Sequence, residues 1–329
     1  MLPMLTLVVL AGCDSDVNEI SQAVHQQHLA AAQQFAVAAV GLNDSLSGLC
    51  RNDGTASLEA AQQAWTHTMQ SWMPFQGRDK GSEAALSLSW QIQFWPDKKN
   101  TTGRKLDQLL KQGTQWSVAT LAGQSVAVQG LGAAEWFLYD SPQVLQSAKG
   151  CLLAVAVAAN IQHSGEALAS AWQDNPWQAM TPELALGEYL GALNNQLDYS
   201  IKKLQRPMGQ PGYPRPYQAE SWRSGTSLEN LRASVAAMEQ LYLAGGHGLD
   251  SLLRDRGYGA TADRLADQFA ALLASWPAEP SLTAMLNSRE GYRQLLNIFN
   301  GLEYIQLMLQ DEVAAELGIK VGFNATDGD

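Results

Sequence analysis

Apolar residues recur at helical spacing through nearly the whole chain, and no stretch alternates with the two-residue period of a half-buried strand. That pattern predicts an all-α protein. The residue usage agrees: hydrophobic residues make up 46% and charged residues only 16%, which suits helices packed closely on one another. A chain of 329 residues is long enough for two domains, or for one body built from two similar halves.

The spacing predicts a long helix capped by Asp16 and running to about Leu49, then a second over Ser57–Trp72. Pro74, Gly77, Pro96, Gly103 and Gly113 break the next stretch into short pieces. Longer helices are predicted at 125–139, 143–173, 181–205, 226–245, 259–276 and 288–317. Residues 206–226 cannot be helix, because Pro207, Pro211, Pro214 and Pro216 crowd them. Tyr213, Tyr217 and Trp222 suggest an ordered extended crossover there. The expected organisation is a leader at 1–13, a helical half at 17–205, the linker at 206–226, and a second half at 227–329.

An internal repeat supports two halves. Glu135 and Trp172 are separated by 172 − 135 = 37 residues, and Glu239 and Trp276 by 276 − 239 = 37. Leu168-Ala169-Ser170-Ala171-Trp172 parallels Leu272-Leu273-Ala274-Ser275-Trp276. Leu197-Asp198-Tyr199 parallels Leu302-Glu303-Tyr304. A duplicated unit forming two packed four-helix bundles is the architecture expected.

The start of the chain carries a targeting signal. Leu5–Leu10 is apolar but far shorter than the roughly 20 residues that span a bilayer. Leu10-Ala11-Gly12-Cys13 has the form of a lipobox, with small residues before a cysteine that takes the lipid. The expectation is an exported, lipid-anchored periplasmic protein, held to the membrane through Cys13. Asp14 resembles the enterobacterial signal for retention at the inner membrane; an outer-membrane place is the alternative. The net charge of −11 argues against nucleic acid and against electrostatic binding to anionic lipid. With Cys13 acylated, Cys50 and Cys151 remain. They suit a disulfide in an oxidising compartment, or two small buried apolar side chains.

The candidate chemistry centres on Glu135. At 100° per residue it falls in the apolar stripe of Ala127, Val128, Leu131 and Leu138. Glu239 falls similarly among Leu228, Leu231, Val235 and Tyr242. A buried carboxylate must be paired, protonated or metal-bound, so each marks either a ligand site or a structural anchor. Trp95-Pro96-Asp97-Lys98, in the broken segment, suggests the lip of a cleft, or a loop capping one bundle. Trp95, Asp97 and Lys98 are therefore binding candidates beside Glu135. His163 and Glu166 stand at i, i+3, within reach of one metal. They project away from the stripe of Val157, Ile161, Leu168 and Trp172, which favours a solvated pair.

The string Gln129-Gly130-Leu131-Gly132-Ala133-Ala134-Glu135-Trp136-Phe137-Leu138 resembles the GxHxxE helix of the imelysin-like family, also called insulin-cleaving metallopeptidase-like proteins. Trp95-Pro96-Asp97 and the terminal Gly322-Phe323-Asn324-Ala325-Thr326-Asp327-Gly328-Asp329 are similar to that family as well. The resemblance implies a duplicated helical fold, export, and a link to iron acquisition through iron-uptake partner proteins. It also implies a divalent metal or iron at Glu135. The motif histidine, however, falls at Gly132 here. A catalytic zinc takes about three protein ligands and the resemblance supplies one. The expectation is a non-catalytic protein that binds a metal, a metal-bearing ligand or a partner. The alternatives are a metallopeptidase with a degenerate site and a scaffolding lipoprotein.

Overall fold

A computed structural model describes residues 12–51, 56–112, 115–210 and 212–319, with side chains from Asn18 onward. The principal helices are α1 (Gly12–Arg51), α2 (Leu58–Trp72), α3 (Thr101–Lys111) and the short α4 (Leu131–Glu135). They are followed by α5 (Ala148–Ala171), α6 (Pro182–Met208), α7 (Ser227–Leu243), α8 (Leu249–Asp255), α9 (Gly259–Ala274) and α10 (Arg289–Leu307). Among the described residues the only β-type pairing is an isolated bridge between Gln210 and Tyr213. The protein is all-α, as the periodicity predicts.

Local capping sets several helix starts. The Ser57 hydroxyl accepts from the Ala60 N–H at 3.1 Å, Ser147 from Gly150 at 3.0 Å, and Ser288 from Gly291 at 2.9 Å. Each removes one unsatisfied donor from a helix's first turn, worth about 1 kcal/mol. Asp16 does not play that part: the first helix already begins at Gly12 and passes through it. The leader segment 1–11 and the terminal 322–329 string lie outside the described residues, as do the side chains of Cys13 and Asp14.

α1 packs along α5 and α2, burying Ile20, Val24, Phe35, Leu42 and Leu46. A disulfide joins Cys50, near the end of α1, to Cys151 in the first turn of α5. α6 runs three residues past its predicted end, into the segment expected to be non-helical: Pro207 sits in its last turn, and Gly209 (φ 58°) ends it. α6 packs against α7 and α10, and α9 packs against α7 and α10 in turn. α6 also touches α1, and the Met73–Phe75 turn after α2 lies against α7. The apolar side chains of all these helices form one continuous core. Among the described residues no helix is long and apolar enough to cross a membrane.

The helix predicted over 125–139 is divided. A 3-10 turn covers Val126–Val128, Gly130 is extended (φ −121°, ψ −157°), α4 follows, and Trp136–Asp140 is a π-turn. The cause of the break is a close approach. A Cβ on Gly130 would lie 2.2 Å from the Ile92 carbonyl oxygen and 2.3 Å from that of Gln91. Only glycine lets this backbone press against residues 91–92, and that contact brings the 93–97 segment to the start of α4.

Candidate functional site

Glu135 ends α4 and is buried. Its Oε1 accepts two hydrogen bonds from one residue: the Ser224 backbone N–H and the Ser224 hydroxyl, each at 2.9 Å. Its Oε2 faces the Arg223 guanidinium, with Nη1 at 3.7 Å. Arg223 also donates from Nε to Asp140 at 3.2 Å and from Nη2 to the Asn100 side-chain oxygen at 2.6 Å. The guanidinium lies over the Trp222 ring, 4.6 Å from its centroid. Burial pushes the Glu135 carboxyl above its usual range; Arg223 and Ser224 only partly oppose this, and the nearby charge of Glu220 adds to it.

Glu220 is a second buried carboxylate and belongs to the crossover segment. Its Oε1 accepts from Gln76 at 2.6 Å and from Gln93 at 2.7 Å, and its Oε2 pairs with Lys203 Nζ at 2.9 Å. Lys203 also donates to the Gln76 side-chain oxygen, and Gln76 to that of Gln93. The Trp72 indole N–H donates to the same Gln93 oxygen at 3.0 Å. Burial holds the Lys203 ammonium below its ordinary pKa, and the adjacent Glu220 carboxylate offsets part of that. The pair therefore sits in a closed web of neutral amides, where a lone charge of either sign would be costly.

Glu135, Glu220 and Arg223 line one pocket, with an empty volume of about 430 Å³ including its mouth. Trp95 and Asp97 line it too, with aromatic walls from Trp65, Phe94, Tyr217 and Trp222. Trp95 packs edge-on to Tyr199, its indole N–H 3.3 Å from the Gln218 carbonyl. The Asp97 oxygens accept from the backbone N–H groups of Thr101 (2.6 Å) and Thr102 (3.0 Å) at the start of α3. These bonds outweigh its partial burial and hold its carboxyl below the usual range. Asp97 is thus a helix cap that borders the pocket.

The remaining candidates stand elsewhere. Lys98 is exposed and is not among the residues lining the pocket. His163 and Glu166 are exposed on the outer face of α5, where Glu166 accepts from Gln162 at 2.9 Å. Glu239 is partly buried and has no neighbour comparable to Ser224 or Arg223 among the hydrogen bonds and ion pairs of the described residues. Sequence reasoning passed over Glu220, Arg223, Ser224 and Lys203. Three of the four belong to the proline-rich crossover, where no periodicity marks a residue as buried. The available signal was Trp222-Arg223, an aromatic–cation pair in a segment otherwise expected to be solvated.

Gly132 also lines the pocket, and a Cβ built there meets no atom within 4 Å. The position that would carry the motif histidine is open space. Glu135 is engaged by Ser224 and Glu220 by Lys203 and two glutamines. Among the described residues no group of three or more His, Cys, Asp or Glu side chains could hold a metal ion. The donor set does not fit a resident bare metal.

Comparison with known proteins places this fold. The chain is similar over 97% of its length to a crystal structure of an imelysin-like protein from Psychrobacter arcticum 273-4, covering 100% of that chain. The TM-score is 0.76 at 18% identity. It is also similar to a chain from Parabacteroides distasonis ATCC 8503 described as an iron-regulated protein A precursor. There the TM-score is 0.71 at 15% identity, over 90% of this chain and 95% of that one. At such identities the likeness shows the fold. No curated protein matches the chain significantly. The Imelysin family model, Peptidase_M75, matches residues 28–307, and the chain therefore belongs to the imelysin family.

Proposed function

We propose that this protein is a non-catalytic, lipid-anchored periplasmic binding protein acting in iron-related physiology. In this reading the Glu135 pocket takes a metal-bearing ligand by its organic shell. The observation that carries the reading is the state of the motif. Gly132 leaves the histidine position open, while Glu135 is held by Ser224 and sits beside Arg223. A peptidase glutamate has to reach a metal-bound water, and this one is committed to protein donors. A purely scaffolding role is less favoured, because Glu135 borders a pocket with aromatic walls. Kinship in fold to a chain described as an iron-regulated precursor supports the physiological setting. The lipobox at Cys13 supports the anchor, and Asp14 supports the inner membrane as its place.

Protein purified from its own periplasm tests the binding role, by metal analysis and mass spectrometry of co-purifying small molecules, wild type against Glu135→Gln. A ligand present in the wild type and depleted in the variant is the expected result. Identical contents would remove Glu135 from the site. Chelator-sensitive proteolysis abolished in Glu135→Ala would favour the peptidase reading. Membrane fractionation of wild type, Cys13→Ala and Asp14→Ser tests the anchor. Outer-membrane wild type would overturn the inner-membrane assignment.

A further inference from the structure

A second recess shares no lining residue with the Glu135 pocket. It lies between α1, the Met73–Phe75 turn and α7, with an empty volume of about 490 Å³ including its open mouth. Arg78 and His28 are its only ionisable side chains.

The charge of Arg78 is unanswered. Its Nε donates to the Pro74 carbonyl at 2.5 Å and its Nη2 to the Gln196 side-chain oxygen at 3.0 Å, while Nη1 meets His28 Nε2. Every one of these partners is neutral. Gln196 is itself buried and fixed by the Met73 carbonyl and Ser234. His28 is stacked on Trp172 and bonded through Nδ1 to the Val24 carbonyl at 2.7 Å, so Nδ1 carries the proton and Nε2 accepts from Arg78. Burial, with the Arg78 charge beside it, keeps this imidazole neutral. Among the described residues no carboxylate pairs with Arg78; Asp79, its neighbour in sequence, bonds to Asn195 instead. Desolvation alone lowers the Arg78 pKa to about 9, with no opposing carboxylate. Arg78 is half-buried, and a partly desolvated cation held only by neutral acceptors gains from an anion.

We propose that this recess binds a small monocarboxylate, with Arg78 as the group that holds it. A guanidinium has five N–H donors and three are used here, leaving one on each Nη for a two-oxygen acceptor. The recess carries one positive charge and no lysine, which matches a single negative charge better than a phosphate carrying more. Phe75, Leu241 and the alanines of α1 and α7 supply an apolar wall for a short alkyl or aryl group. Gln27 and Gln240 add amide groups at its edge.

Isothermal titration of the full chain with acetate and, separately, with inorganic phosphate, in a low-salt buffer free of other carboxylates, tests this. Two variants accompany the wild type. Arg78→Gln removes the charge. Gln240→Glu places a carboxylate on an exposed position lining the recess, adding a negative charge that opposes an anionic ligand there without emptying the core. The expected result is saturable one-site acetate binding by the wild type. Phosphate should bind at least about tenfold more weakly, and Gln240→Glu should lose about tenfold or more in acetate affinity with an unchanged or raised Tm. Absence of saturable acetate binding in the wild type would overturn the site. So would undiminished acetate affinity in Gln240→Glu, or in a folded Arg78→Gln. Tighter binding of phosphate than of acetate would overturn the assigned ligand class.

Discussion

Ser224 donates both its backbone N–H and its hydroxyl to a single oxygen of Glu135, at 2.9 Å each. The two residues come from α4 and from the crossover 89 positions later in the chain. The pairing fixes one carboxylate oxygen and leaves the other to Arg223 at 3.7 Å. Even with these partners, burial wins and the carboxyl is raised.

That shift has a sign. An acid raised on folding binds its proton more readily in the native state than in the unfolded one. Its favourable contribution is complete below the ordinary value of 4.5 and is lost as pH rises through the raised native value. The Tm difference, wild type minus Glu135→Gln, should therefore grow as pH falls from neutrality toward 4.5. A difference independent of pH across that interval would refute the raised carboxyl. Taking the difference cancels groups such as Asp97, whose lowered pKa acts in the opposite direction.

Lys203 and Glu220 should behave as a coupled buried pair. Lys203→Met alone strands a carboxylate whose side chain is 2% exposed, and should cost about 3–5 kcal/mol in urea unfolding. Lys203→Met combined with Glu220→Gln should recover most of that loss, because neither charge then remains buried alone. Additive losses in the double variant would show that the two residues do not form one electrostatic unit.

The Cys50–Cys151 bond closes a loop of 101 residues between α1 and α5. Its main effect is to restrict the unfolded chain, so Cys50→Ser/Cys151→Ser should lower stability by about 2–5 kcal/mol. Oxidised wild type and the double variant, compared in the same guanidinium titration, measure it. Equal midpoints would mean that the cross-link contributes nothing to the folded state.

Gly132→His should be accepted by the fold, since open space faces that position and a helical glycine is itself unfavourable by about 0.5–1 kcal/mol. The imidazole would stand at i, i+3 to Glu135. Zinc titration should then show a site at least about tenfold tighter than in the wild type. A variant that folds but gains no zinc affinity would show that Ser224 and Arg223 hold Glu135 too firmly for it to serve as a ligand.

What could be read directly from the chain is local. The 3.6-residue period predicts α2, α5, α7 and α9 to within a few residues, except that 142–146 form a separate 3-10 turn. Ser57 and Ser288 stand at the predicted helix starts because a cap needs only the next three residues, whereas the cap at Ser147 lies four residues inside the helix predicted from 143. Glu135 stood out because a carboxylate inside an apolar stripe is a local contradiction, and it is indeed buried. The break at Gly130 was not legible, since the carbonyls that demand glycine belong to residues 91 and 92.

The sequence by itself determined an all-helical chain with a lipobox, a cysteine pair and two carboxylates on apolar faces, Glu135 and Glu239. The tertiary structure alone decided that Glu135 is buried, that Glu239 is only partly so, and what each meets. Glu220 and Arg223 line the pocket with Glu135, Ser224 holds Glu135 across 89 residues, and Lys203 pairs with Glu220, which also meets Gln76 across 144 residues. No repeating period encodes such pairings. Whether a charge is buried, and what answers it, depends on the summed packing of distant segments. The same reason hid Arg78, whose sequence neighbours include Asp79 and whose folded neighbours include no carboxylate among the described residues.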